Sequence, residues 1–553
     1  MTYFFGVVWF IAVFENILFW LYLWQLKEYH IGRFLAHFQT EKGRKLLFNK
    51  LLFLKIFFVF VFLSFFLFGW RFWDENSLFL GIVSALSLAA AVSFIYFLET
   101  FNTFKNLFGK RIKAPVLTFK TILLIFISLL LEIAAVFLFF QTFPEDYPFF
   151  ILGLLLFDIF VPLIVSVIVL FFQPLTVLRK NQIIGKAIKK REQFKNLTVI
   201  GVTGSYGKTS TKEFLAAILS QKFNVLKTKE NQNSEMGISQ CIIDELKPEH
   251  QVFIAEMGAY NRRGIKLLCK ITKPKIGILT GISEQHLATF GSQKNIISAK
   301  FELIESLPEE GTAILNCDSR YMKTKIQSPD YKVKVKNQKL YSLQEKLDVW
   351  AENILMDKDC LSFRVFLKSG ESADFSLNAL GKHNVLNLLG AVAAAKELGM
   401  SLEEIRQEVQ NISNQEGGMV LKRSSIGFNF VDSSYSSNPD GVVSDLDYLK
   451  AWSGKKAIIM PCLIELGSSS KNIHKRIGEK IAEICSLAVI TTKDNFKEIK
   501  EGVIGKGMKP ENIIFSENPK KINEAIKEFN GENDILLLEG RISKEIISAL
   551  IKE

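Results

Sequence analysis

Apolar residues follow two regimes along this chain. Before residue 175 they run in long unbroken blocks; beyond it they come as short β-branched runs alternating with amphipathic stretches. Blocks near residues 4–25, 51–70, 78–98, 117–141 and 149–172 each reach the roughly 20 helical residues needed to cross a hydrocarbon layer, and predict five spanning helices. In the second regime, Leu197–Val202, Val252–Glu256, Lys275–Leu279 and Ala313–Asn316 read as strands between helical patterns. That alternation predicts an α/β region built on a mostly parallel sheet. No internal repeat or low-complexity segment interrupts it.

Charge refines the first regime. Lys27, Arg33, Lys42, Arg44 and Lys45 follow the first block, and Arg71 stands against Asp74 and Glu75 after the second. Lys105, Lys110, Arg111 and Lys113 follow the third, and only Glu145 and Asp146 the fourth. After the fifth come Arg179, Lys180, Lys186, Lys189, Lys190, Arg191 and Lys195. The positive-inside rule then predicts an integral membrane protein with the N-terminus outside and everything after 175 in the cytoplasm. Residues 175–196 predict a basic juxtamembrane helix lying against anionic lipid. Glu15, Glu132 and Asp158 fall inside the spans. Each marks either a proton or substrate path, or a protonated acid hydrogen-bonded between helices; the lack of matching basic residues at depth favours the second. Lys55, near the inner end of its span, is expected to snorkel, and Pro162 to kink the last span.

Composition excludes some classes. The chain has 553 residues, 49% of them hydrophobic, and a net charge of +12. The basic residues cluster in loops beside apolar blocks, which favours membrane over nucleic acid. No cleavable signal peptide is expected, because the first apolar run lacks a basic leader and is long enough to span. The six cysteines form no C-x-x-C pair, so free thiols in a reducing compartment are expected.

The chemistry starts at Val199–Ser210. An apolar strand enters a glycine turn, Gly204-Ser205-Tyr206-Gly207-Lys208-Thr209-Ser210, and then an amphipathic helix over Thr211–Leu219. Glycines let backbone N–H groups approach phosphates, and a helix N-terminus favours negative charge. Lys208 supplies a cation for the outer phosphates and Thr209 a hydroxyl for Mg²⁺. The long G-x-x-x-x-G-K-[ST] form is absent, since Val202 stands at its first glycine. Three further signals follow. Glu256 ends an apolar strand where a Mg²⁺ ligand is needed, His286 follows another strand, and Lys300 sits in a helical run, Ser298-Ala299-Lys300-Phe301-Glu302. Singly, each reads as well as a surface residue; their order after the glycine turn favours function.

With these motifs the chain resembles the Mur ligase superfamily, the ATP-dependent amide ligases of peptidoglycan precursor synthesis. The likeness is carried by Gly204–Ser210, Asn231-Gln232-Asn233-Ser234-Glu235-Met236-Gly237, Ala255–Gly258, His286 with Thr289-Phe290-Gly291, and Ala299–Glu302. It continues through Asn316-Cys317-Asp318, Gly381–Asn387, Asp432–Asp440, Ile464-Glu465-Leu466-Gly467 and His474. The apolar blocks and the basic stretch predict a transmembrane domain over 1–174 and a linker over 175–196; the resemblance implies a central ATP-binding domain over 197–415 and a smaller Rossmann-like C-terminal domain over 416–553. It implies that Gly204, Ser205, Tyr206, Gly207, Lys208, Thr209 and Ser210 hold the ATP phosphates, with Thr209 and Glu256 on a first Mg²⁺. His286 and a carbamylated Lys300 would serve a second Mg²⁺. Asn316, His383 and Asn384 would lie near the adenine, Asp432 and Tyr435 would reach the nucleotide on domain closure, and Asn231 and Asn233 would face the substrate. The implied reaction joins a muramoyl-peptide carboxylate to a D-alanyl-D-alanine amine through an acyl phosphate.

The chain departs from the family in three places. The membrane region stands where the family has its UDP-sugar domain. Gly417-Gly418-Met419 lacks the family's arginine, whose contact is then missing or moved to Lys422 or Arg423. Ser433, Ser436 and Ser437 replace an Asp and an Asn-Ala pair. Alternatives are a ligase acting on a polyglutamate-like or lipid-linked acid, a transport or signalling ATPase, and a non-catalytic scaffold. The lysine–histidine–glutamate set argues against the last two.

Overall fold

The computed structural model describes the chain except residues 1, 39, 70–74, 110–111, 144–146, 231, 330, 332, 413–417, 425–426, 435–437 and 551–553. Asn231 and Tyr435, and Gly417, Ser436 and Ser437 of the departures, therefore lie outside the described residues. So do the loop charges Arg71, Asp74, Lys110, Arg111, Glu145 and Asp146. The chain divides into two compact units, Met1–Arg179 and Lys180–Glu553.

The first unit is helical: α1 (Thr2–Leu26), α2 (Ile31–His37), α3 (Glu41–Leu47), α4 (Lys50–Gly69), α5 (Glu75–Phe108), α6 (Phe119–Thr142) and α7 (Tyr147–Phe171). Among the described residues, five helical stretches are long and apolar enough to cross a membrane, as the apolar blocks predict. α1 lies against α5, α6 and α7, and its indoles fix it: Trp9 Nε1 donates to the Leu154 carbonyl (3.0 Å) and Trp24 Nε1 to Ser166 Oγ (3.1 Å). α7 runs unbroken through Pro162.

Two expectations for this unit need correction. Lys55 does not snorkel: it is buried, with Nζ 2.6 Å from Asp158 Oδ2 and 2.8 Å from Glu99 Oε1. Asp158 also accepts from Tyr96 Oη at 2.8 Å and Asn16 Nδ2 at 3.1 Å. A basic residue therefore does stand at depth, and an ion pair replaces the protonated acid, because two charges that share a dry interior cancel part of each other's desolvation cost. Glu15 accepts from Thr103 Oγ1 and from Asn106 Nδ2, as an acid bonded between helices should. Glu132 is fully buried, and neither carboxyl oxygen has a hydrogen-bond partner among the described residues.

α8 (Gln173–Glu192) follows, and its part beyond Arg179 belongs to the second unit. One face of that part packs on protein. Ile184 and Ala187 join the core of the α/β region, and Lys190 Nζ donates to the Ile243 carbonyl at 2.7 Å. Arg191 donates to the carbonyls of Thr272, Phe194 and Leu197 at 2.9, 2.8 and 3.2 Å. Lys190 and Arg191 thus cap backbone oxygens of the protein, while Lys186 and Lys189 are exposed.

The second unit carries two sheets. The first is built from β1 (Thr198–Thr203), α9 (Lys208–Ser220), β2 (Val225–Lys227), α10 (Glu235–Glu245), β3 (Val252–Glu256), α11 (Gly264–Thr272), β4 (Ile276–Leu279), α12 (Leu287–Phe290), α13 (Gln293–Glu305), β5 (Thr312–Asn316), α14 (Arg320–Ile326), β6 (Asn337–Ser342), β7 (Val349–Met356), β8 (Leu361–Leu367), β9 (Ser372–Leu377), α15 (His383–Glu397) and α16 (Leu402–Val409). Its order is β2-β3-β1-β4-β5-β6-β7-β8-β9. Neighbours from β2 to β7 pair parallel, and β7–β8 and β8–β9 antiparallel. β1, β3, β4 and β5 match the four predicted strands within two residues at each end. β3 and β5 are buried at every position, as expected of parallel strands covered on both faces. One face carries α9, α15 and α16, the other α10, α11 and α13.

The second sheet is built from β10 (Val420–Arg423), β11 (Asn429–Ser433), α17 (Pro439–Tyr448), β12 (Lys456–Met460), α18 (Ser470–Ile484), β13 (Leu487–Ile490), α19 (Phe496–Gly505), β14 (Ile513–Phe515), α20 (Pro519–Ile526), β15 (Ile535–Glu539) and α21 (Lys544–Leu550). Its order is β10-β11-β15-β12-β13-β14, parallel except for β10. In open α/β sheets ligands bind beyond the carboxyl ends of the strands, and the candidate residues cluster at those ends.

Candidate functional site

The glycine turn leaves β1 and enters α9 with Gly207 at φ +75°, a left-handed conformation that suits glycine. A Cβ there would stand 2.2 Å from Asn387 Oδ1. Because Gly207 has no side chain, no side-chain cap occupies the first N–H groups of α9, so the helix start is left to an external acceptor. The loop is braced from β4: Ser205 N–H donates to the Gly281 carbonyl at 2.7 Å, and Thr280 Oγ1 to the Tyr206 carbonyl. Phe214, Leu215, Ile218 and Leu219 anchor α9, each fully buried and worth roughly 2 kcal/mol in transfer.

Around this helix start the structure gathers the predicted cation-site residues. Thr209 Oγ1 donates to Glu256 Oε2 at 3.1 Å, and Asn233 Nδ2 to Glu256 Oε1 at 3.2 Å. Lys208 Nζ donates to the Gly204 carbonyl at 2.9 Å. Burial lowers its pKa, against an opposing pull from Glu256. Lys300, on α13, is buried; burial first and then Lys208 bring its pKa down to about 7. His286 bonds through Nδ1 to Glu465 Oε2 at 2.6 Å, and burial lowers its pKa although Glu465 pulls the other way. Thr209 and Glu256 present an alcohol and a carboxylate oxygen to one point, the hard donors that Mg²⁺ prefers. Among the described residues no three His, Cys, Asp or Glu side chains form a cage.

Other predicted residues stand apart from this cluster. Asn316 spends both polar atoms internally, donating to the Thr280 carbonyl at 2.5 Å and accepting from Asp318 N–H at 2.9 Å. Asn384 Nδ2 donates to the Leu380 carbonyl at 2.8 Å, and its Oδ1 accepts from Asn387 at 3.1 Å. His383 Nδ1 lies 2.7 Å from Ser444 Oγ, on α17. Asp432 pairs with Lys422 at 2.8 Å. Burial pushes the Asp432 carboxyl up, yet Lys422 and Ser434 hold it below its ordinary value. Of the two residues offered for the missing arginine, Lys422 is thus engaged by an aspartate.

Two residues escaped the sequence reading. Lys212 is fully buried: its Nζ donates to the Thr228 carbonyl at 2.8 Å and lies 3.0 Å from Glu213 Oε1 and 3.4 Å from Glu256 Oε2. A lysine within an amphipathic helix reads as solvated; its place four residues after Lys208, on the face of the helix start, was the available signal. Glu465 carried only a motif match, without a role.

Two family models match this site and its surroundings: the Mur ligase middle domain over residues 202–395 and the Mur ligase glutamate ligase domain over 419–542. A Synechocystis UDP-N-acetylmuramoyl-tripeptide--D-alanyl-D-alanine ligase is 30% identical over 66% of this chain and 76% of its own length. The chain belongs to the Mur ligase family. Mur ligases are ATP-dependent enzymes that form carbon–nitrogen bonds, and they use ATP with Mg²⁺. A Bacillus subtilis ligase of the same name is 26% identical over 64% of this chain and 76% of its own. The crystal structure of MurF from Acinetobacter baumannii matches with a TM-score of 0.60 at 26% identity, covering 68% of this chain and 81% of that one. The Thermotoga maritima MurF ligase in complex with ADP shares the fold, with a TM-score of 0.59 at 23% identity over 68% and 84%. Both Mur ligase matches begin beyond the helical unit.

Proposed function

We propose that this chain is a membrane-anchored Mur ligase that activates the carboxylate of a muramoyl-peptide cell-wall precursor as an acyl phosphate and joins it to D-alanyl-D-alanine. The observation that carries the reading is the set of Lys208, Thr209, Glu256, His286 and Lys300 around the uncapped start of α9. The names of the relatives support the substrate pair, and the five long apolar helices support the anchor, with the catalytic part cytoplasmic.

In this reading the α9 N–H groups and Lys208 hold the phosphates, and Thr209 and Glu256 hold Mg²⁺, which neutralises charge on the transferring group. Asn233 and Lys212 keep the Glu256 carboxylate aimed. With its pKa brought down to about 7 by burial, Lys300 offers a neutral amine near neutral pH. A neutral Nζ adds to CO₂ and loses a proton, giving a carbamate whose negative charge suits a second cation held with His286. Transfer of the γ-phosphoryl group to the carboxylate breaks the terminal anhydride and releases ADP. The amine then displaces phosphate, forming the amide and losing a proton. Contact between the two sheet domains keeps water from the acyl phosphate.

A second reading puts the acid on a lipid, favoured by the helical unit and by Mur ligase matches that start only at residue 202. Purified full-length protein should release phosphate only with an acid and an amine together, tested over UDP-linked and lipid-linked muramoyl peptides. Release that ignores both would favour a transport ATPase instead.

A further inference from the structure

His286 and Glu465 both sit in the left-handed backbone region at φ +65°, where a side chain costs roughly 1–2 kcal/mol, and they meet. His286 follows β4 in the first sheet domain and Glu465 follows β12 in the second. The imidazole Nδ1 lies 2.6 Å from Glu465 Oε2, and the adjoining backbones are tied by Ala288 N–H donating to the Glu465 carbonyl at 3.1 Å. Tyr260 packs edge-on against the ring, centroids 5.0 Å apart at 85°. Strain of this kind persists only where its surroundings hold it, and it gathers at functional sites.

A carboxylate at Nδ1 keeps the proton on that nitrogen and leaves the lone pair on Nε2. Histidines that ligate metals are regularly oriented in this way by a carboxylate on the other nitrogen, which fixes the tautomer and raises the basicity of the ligating atom. Here that carboxylate belongs to the other domain. We propose that Glu465 is a positioning residue for the second cation site: it holds His286 as an Nε2 ligand for a divalent cation, so the site is complete only when the C-terminal domain is docked. This rests on the reading of His286 as a cation ligand.

Docking and cation affinity then favour each other by the same factor. The consequence for the reaction is order. The second cation is held tightly only once the domain that shields the acyl phosphate is in place. ATP is thereby kept from reacting in an open, wet site.

The test uses full-length protein in nanodiscs, with Mn²⁺ as the probe. Binding is followed by electron paramagnetic resonance, and docking by hydrogen exchange at the Ala288 amide. Glu465→Ala should weaken the second Mn²⁺ by about 10- to 100-fold, leave the first unchanged, and abolish the slowing of Ala288 exchange that Mn²⁺ causes in the parent. Glu465→Gln, whose amide oxygen still accepts from Nδ1–H, should stay within a few-fold of the parent in both readouts. Unchanged second-ion affinity in Glu465→Ala, with that affinity lost in His286→Ala, would overturn the positioning role and leave the cation reading intact. Unchanged affinity in His286→Ala as well would remove the cation reading, and the proposal with it.

Discussion

Replacing Lys300 by methionine should make the ligase domain more stable and inactive. Met keeps most of the volume and removes an ammonium that the interior disfavours. A pKa of about 7 in the folded chain, against the ordinary 10.5, amounts to roughly 4 kcal/mol of destabilisation at neutral pH, at about 1.4 kcal/mol per tenfold change. Because the folded value is depressed, the unfolded chain binds more protons between pH 7 and 10.5, and stability rises with pH across that window. The advantage of Lys300→Met should therefore be largest at and below pH 7 and vanish near pH 10.5. Bicarbonate should narrow it at neutral pH, since carbamylation stabilises only the folded parent. Hydrogen exchange of β1, β3 and β4 in the full chain, in rising denaturant, reads this domain without assuming that both units unfold together. A variant no better protected than the parent at pH 7, or a gap that ignores pH, would refute the reasoning.

Lys212→Met should destabilise the same strands by about 3 kcal/mol, because it removes a buried cation from Glu213 and Glu256 and a donor from the Thr228 carbonyl; Glu256→Gln added to it should restore part of the protection but not turnover. Gly207→Ala forces a Cβ against Asn387 in a left-handed position, so affinity for a fluorescent ATP analogue should fall at least about tenfold; an unchanged affinity would count against the α9 start as the phosphate site. In the helical unit, Lys55→Met and Asp158→Asn should each lower the thermal transition in detergent. The double variant should recover part of the loss, with a coupling of about 1 kcal/mol or more, whereas simple additivity would deny the ion pair.

The parallel strands and the phosphate loop were legible because both follow from local rules: buried runs of β-branched residues, and a glycine turn before a helix. The antiparallel extension β7–β9 was not, although Leu361, Phe363, Val365 and Leu367 alternate inward along β8. Alternation alone does not say which sheet a strand will join. The hydropathy of a block marks α4 as apolar, but whether Lys55 turns outward or inward depends on Asp158, 103 residues away. α8 shows the same limit: its Lys and Arg residues suit lipid phosphates or backbone carbonyls equally well until the fold supplies the carbonyls. Glu465 has no meaning along the chain at all, since its partner lies 179 residues before it.

The spacing of the Lys55 ion pair also bears on biogenesis. If α4 enters the bilayer during synthesis, Lys55 arrives before either acid that pairs with it. Glu99 follows 44 residues later and Asp158 only after 103. Until α5 brings Glu99, the nascent bundle would carry a charge that lipid disfavours, and the Asp158 contact is made only with α7, which favours holding the helices together over partitioning them one by one. A chain stopped before α5 would leave that lysine without either partner and open to quality control. The ligase domain, made last, would then be delivered only on an anchor that had already passed inspection.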